Sequence, residues 1–143
     1  MCRKSKPIIE PSPDFYDTKK SNLTGKNYTV SDIQNLVIRD FGKTYVRKLE
    51  NKNSKLKSNE YLVAIRVCTD KYGKSRDFHF MKKDPNTGKW WHKQGKSSIE
   101  CLGKIDPDKK TNWVRKNDWI DHYYNSKTLY IAVRRTFWTK TLK

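Results

Sequence analysis

At 143 residues, with 34% hydrophobic and 33% charged side chains, the chain is polar, yet its five Trp, eight Tyr and five Phe are too many for a disordered one. The formal charge of +17 points to polyanions: nucleic acid, an anionic surface or an acidic partner. No apolar run approaches the roughly 18–20 residues of a membrane span, and MCRKSKPIIEPSPDF has no apolar core for a secretory leader, so neither a membrane partner nor secretion is expected.

Residues 1–27, with Pro7, Pro11, Pro13 and the polar run KKSNLTGKN, predict an extended arm. In YTVSDIQNLVIRDFG, Ser31 and Gln34 have capping-box spacing, and Ile33, Leu36, Val37 and Phe41 recur on one helical face. Gly42 stands where a glycine stops a helix, so the spacing predicts a helix over 31–41. A lysine-rich loop follows at 51–59. Tyr61 to Thr69 (YLVAIRVCT) is rich in β-branched and aromatic residues and predicts a strand buried on most of both faces. After the turn KYGKS, residues 77–83 and 89–94 predict a hairpin. IDPDKK at 105–110 is a further turn. Trp113 to Tyr124 fits either a short helix or an irregular aromatic loop, and LYIAV at 129–133 is a last strand before the basic tail from residue 136.

The hairpin holds two of the three histidines. Pro85 sets φ for a turn, Asp84 can accept from backbone N–H groups ahead of it, and Gly88 can take φ > 0. A four-residue loop, Pro85 to Gly88, closes on Asp84 and Lys89 and sets Met81 against His92. His79 and His92 then share a face as diagonal neighbours at about 7–8 Å. A loop one residue longer would turn His92 to the other face. In the four-residue register Phe78, Phe80 and Trp91 share the opposite, core face with the stems of Lys82 and Lys93.

Cys2, Cys68 and Cys101, odd in number and without a CxxC pair, predict reduced thiols rather than a disulfide framework or zinc ribbon. His122 lies near Asp118 and Asp121, but nothing in the spacing of the three histidines demands a metal, and no cofactor is expected. For nucleic acid the candidates are Lys82, Lys83, Lys89, Lys93 and Lys96 interleaved with Trp90 and Trp91, together with Arg134, Arg135 and Trp138: aromatics to stack bases and cations to follow the backbone.

The run Asp77-Phe78-His79-Phe80, then Gly88-Lys89-Trp90-Trp91-His92-Lys93-Gln94-Gly95, resembles a signature of small proteins from giant DNA viruses and some bacteria. The layout also resembles papain-like hydrolases of the NlpC/P60 type. The resemblance implies His79 as the base, His92 as the group that orients it, and a cysteine nucleophile opening a helix before the first strand. The cysteine upstream here is Cys2, in MCRKSKP, with no helical pattern around it. The fold expected is α+β: a small, mainly antiparallel sheet with the 31–41 helix packed on it, in one domain over 28–135. The function expected is that of a non-enzymatic or degenerate papain-like domain of viral type, a basic binding or structural protein in the host cytoplasm or virion. A sequence-tolerant nucleic-acid binder and an active cysteine hydrolase using Cys2, His79 and His92 are the alternatives.

Overall fold

The computed structural model describes residues 27–93, 99–116 and 121–135; the expected arm before residue 27 and the tail from residue 136 lie outside them. The helix, α1, runs Val30–Phe41. Its N-cap is Thr29: the Thr29 hydroxyl accepts from the Asp32 N–H at 3.1 Å, and the Asp32 carboxylate accepts from the Thr29 N–H at 2.8 Å. The capping box therefore sits two residues before the expected Ser31–Gln34 pair. Asp32 is the better third-position acceptor because its charge also faces the positive end of the helix. Gln34 is used elsewhere, its side-chain amide donating at 2.9 Å to the Tyr130 carbonyl under the helix. At the other end Gly42, with φ of 87°, turns the chain out of the helix, and its N–H donates to the Ile38 carbonyl. Thr29→Ala should lower stability by about 1 kcal/mol, read as a shift in urea midpoint without a change in slope.

Six strands form one antiparallel sheet: β1 (Val46–Leu49), β2 (Glu60–Thr69), β3 (Ser75–Lys83), β4 (Trp90–Lys93), β5 (Ile99–Gly103) and β8 (Leu129–Arg134), in the order β1-β8-β2-β3-β4-β5. The last strand thus enters between the first two. One helix on a mainly antiparallel sheet is the α+β architecture expected. The remaining pair, β6 (Val114–Lys116) and β7 (Asp121–Tyr123), makes a small hairpin where a helix or aromatic loop was expected.

Side chains alternate across β2 and divide the interior in two. Tyr61, Val63, Ile65 and Val67 join Ile33 and Val37 of α1, Phe78 and Phe80 of β3, and Ile131 and Val133 of β8. Leu62, Ala64 and Cys68 point the other way, into a second cluster with Leu49, Met81, Trp90, Tyr130, Trp113 and Tyr124. Trp113 and Tyr124, from segments 105–116 and 121–128, cover that second face and are each 1% exposed. A strand buried on both faces reads as an unbroken apolar run rather than an alternating one, which is why YLVAIRVCT is so apolar.

Candidate functional site

The β3–β4 hairpin closes as its turn chemistry dictates. Asp84 N–H donates to the Lys89 carbonyl, Gly88 has φ of 73°, and Met81 pairs with His92. His79 and His92 therefore emerge on one face, the face of the second cluster. His79 Nε2 lies 2.8 Å from His92 Nδ1, and the two rings meet edge to face with centroids 5.0 Å apart. On the far side of His92, Nε2 lies 3.2 Å from Oε2 of Glu100, its cross-strand partner on β5.

These contacts fix the tautomers. A carboxylate only accepts, so His92 carries its proton on Nε2 and donates to Glu100. Its Nδ1 is then a lone pair, which accepts from His79 Nε2–H, and the basic nitrogen of His79 is Nδ1. Glu100 to His92 to His79 is a relay of the kind that orients a catalytic imidazole. Burial pushes the His92 pKa below its ordinary value, against the opposing pull of Glu100.

The pair is roofed by aromatics. Tyr124 stacks on His79 at 5.2 Å between centroids, and the Trp113 ring stands at 90° to it at 6.1 Å. Tyr124 Oη donates to Asp77 at 2.7 Å, and Trp113 Nε1 to the Pro107 carbonyl at 2.7 Å. The roof is tied down by Arg66, the cross-strand partner of His79. Its guanidinium donates to Thr128 Oγ1 at 2.6 Å, to the Tyr124 carbonyl at 3.1 Å and to the Asp108 carbonyl at 2.8 Å, and lies 5.7 Å from the Trp113 ring centroid. As a result His79 is 8% exposed and His92 4%.

Cys2 and Lys96 lie outside the described residues, as do Trp138 and the side chains of Lys93 and His122. Cys68, which pairs with Asp77 on β3, is a buried thiol whose pKa is pushed up, first by desolvation and then by Asp77. Cys101 is disulfide-bonded, which corrects the expectation of reduced thiols throughout. Sequence spacing is no guide here, because bridging depends on the separation of Cα atoms in the fold. Among the described residues no three His, Cys, Asp or Glu side chains converge to hold a metal ion. The two imidazoles spend their facing nitrogens on each other.

The nucleic-acid candidates scatter. Trp90 and Trp91 are 3% and 7% exposed, so neither presents a ring face on which a base could stack. Lys82 is buried too, its ammonium 5.8 Å from the Tyr61 ring centroid. Lys83 and Lys89 are half-buried, Arg134 is exposed, and the Arg135 N–H is bonded to the Asn59 carbonyl. Sequence reasoning missed Arg66, Glu100 and the roof. A lone arginine in the apolar run YLVAIRVCT was a usable signal for the first. Glu100 left none, because its register depends on the connection after β4. No family model, curated protein or solved structure matches the chain. Among the described residues no helix is long and apolar enough to cross a membrane.

Proposed function

We propose that this chain is a non-enzymatic, basic binding protein built on a degenerate papain-like layout of the NlpC/P60 type, with its histidine pair turned to structural use. One observation supports this reading above others. His79, the base of that layout, lies against Tyr124 and Trp113 and is 8% exposed, which leaves a scissile carbonyl little approach to it. The thiol on the same face, Cys68, is pushed toward its neutral form, whereas a nucleophile needs a depressed pKa. The charge of +17 then stands as the chain's main chemical resource, and its partners are polyanions. The viral origin in this reading rests on the hairpin's resemblance to that signature.

Iodoacetamide labelling at neutral pH, after reduction of the disulfide that holds Cys101, tests the first half of this reading. Each thiol is expected to react no faster than cysteine in solution, and His79→Ala is expected to leave the rates unchanged. A thiol that reacts tenfold faster and slows on His79→Ala would restore the cysteine hydrolase. Binding to heparin and to nucleic acid at two salt concentrations tests the second half. Affinity is expected at low salt and should fall steeply as salt rises; no binding at low salt sinks it.

A further inference from the structure

Tyr72 is 75% exposed, the most exposed large hydrophobic side chain among the described residues. It sits at the tip of the β2–β3 hairpin, in Asp70-Lys71-Tyr72-Gly73-Lys74, and the turn beneath it is fixed at several points. Asp70 Oδ1 accepts from the Tyr72 and Lys74 N–H groups, both at 2.9 Å. The Asp70 N–H donates to the Lys74 carbonyl, and the Gly73 N–H to that of Asp70. Gly73 takes φ of 77°. From the flank, the Asn27 side-chain amide donates to the Gly73 carbonyl at 3.1 Å, and its oxygen accepts from the Ser75 N–H at 2.7 Å. An exposed ring on a loose loop would be unremarkable; one held out on a fastened turn loses little conformational freedom when it meets a partner.

The charges around the ring say what the partner carries. The Lys71 ammonium lies over one face of the Tyr72 ring, 5.2 Å from its centroid, which leaves the other face for a partner, and Lys74 is exposed two residues further along the turn. Asp70, the acid of the turn, is engaged by Arg76 at 2.7 Å, so its charge is offset locally. An aromatic face beside lysines on a hydrogen-bonded hairpin tip matches single-stranded nucleic acid. The ring offers a stacking platform to any base, and the ammonium groups reach the phosphates on either side. The Trp90–Trp91 pair has the right composition for this task and the wrong burial.

We infer that the Lys71–Lys74 tip is a single-stranded nucleic-acid contact, with Tyr72 stacking on a base and Lys71 and Lys74 pairing with backbone phosphates. This rests on the polyanion-binding reading above and names the surface and ligand class that serve it. The test is fluorescence anisotropy with a labelled oligothymidylate and, as a polyanion without bases, labelled heparin. Wild type, Tyr72→Ala, Tyr72→Phe and the double variant Lys71→Gln/Lys74→Gln are compared, with unchanged melting as the control for folding. Tyr72→Ala is expected to weaken oligothymidylate binding about tenfold and to leave heparin binding unchanged, while Tyr72→Phe retains wild-type affinity for both. The double lysine variant should weaken both ligands and reduce the salt slope for the oligonucleotide by about 1.4. Wild-type affinity of Tyr72→Ala for oligothymidylate, or an equal loss for heparin, overturns the stacking contact while leaving polyanion binding in place. If wild type binds neither ligand at low salt, the broader reading falls and the contact with it. Tighter, Tyr72-dependent binding of an oligoglutamate peptide would assign the tip to an acidic protein instead.

Discussion

Arg66→Met should lower the unfolding free energy by about 2–4 kcal/mol, a large share of the roughly 5–15 kcal/mol that holds a domain together. Methionine keeps most of the apolar stem and loses every donor. The Tyr124 carbonyl then stays buried in the roof without the guanidinium that satisfied it, at about 1–3 kcal/mol for a buried group left unmade, and the part-buried Asp108 carbonyl and Thr128 hydroxyl lose their donor as well. Replacing a buried charge by an apolar residue can be neutral, but only when its partners are replaced as well. Here two of the three are backbone carbonyls, which no substitution removes. Arg66→Lys should recover little, since a single ammonium cannot span three acceptors arranged around a planar fork. Urea unfolding gives the magnitude, and amide exchange gives the cause: protection should fail in 105–128 before it fails in α1. A midpoint within about 1 kcal/mol of wild type would mean that Arg66 does not hold the roof.

What the sequence disclosed was local. The hairpin register followed from Asp84, Pro85 and Gly88 alone, and it brought His79 and His92 onto one face, because a two-residue period admits no other outcome once the turn is set. Helix α1 was legible from its apolar rhythm, although the box closed on Thr29 and Asp32 rather than on Ser31 and Gln34. What stayed hidden was long-range. Glu100 reaches His92 through the β4–β5 pairing, and Arg66 reaches Tyr124, Thr128 and Asp108 across 42 to 62 residues of chain. Neither separation leaves a periodic trace. Trp90 shows the converse error: beside lysines it read as part of a binding surface, but it is buried in the second cluster, whereas Trp91, read also as a core-face residue, is buried as that face required. Tyr72 looked like a turn residue in KYGKS, and only its 75% exposure above a fastened turn sets it apart.

The histidine pair should make the fold acid-sensitive well above the carboxylate range. The folded pKa of His92 lies below its ordinary 6.5, chiefly through burial. On acidification the unfolded chain therefore takes its proton first. Stability is fully present above about pH 6.5 and declines as pH falls toward the folded pKa, with a slope of up to about 1.4 kcal/mol per pH unit for each proton. The geometry sharpens this. A proton on His92 Nδ1 would set two N–H donors against each other at 2.8 Å, and Arg66, opposite His79, places a fixed positive charge nearby. Glu100 favours the imidazolium, as does Asp77 through Tyr124 more weakly, but the Glu100 side chain is 63% exposed and its help is screened. Carboxylates act in a lower window. Glu60, held by Arg47 at 2.8 Å, has its pKa lowered from 4.5, so its contribution is present above that value and is lost only as pH falls below it. The two windows can be read separately by urea unfolding in steps from about pH 8 to about pH 4. Wild type should lose stability from about pH 6.5 downward, and Glu100→Gln should lose more over the same range because its His92 pKa falls further. The double variant His79→Leu/His92→Leu removes both donors and acceptors of the pair together, so it should fold and remain level until the carboxylates begin to titrate. A wild-type midpoint that stays flat from about pH 7.5 to about pH 5 would show that His92 titrates alike in the folded and unfolded chains, and that its site is open to water.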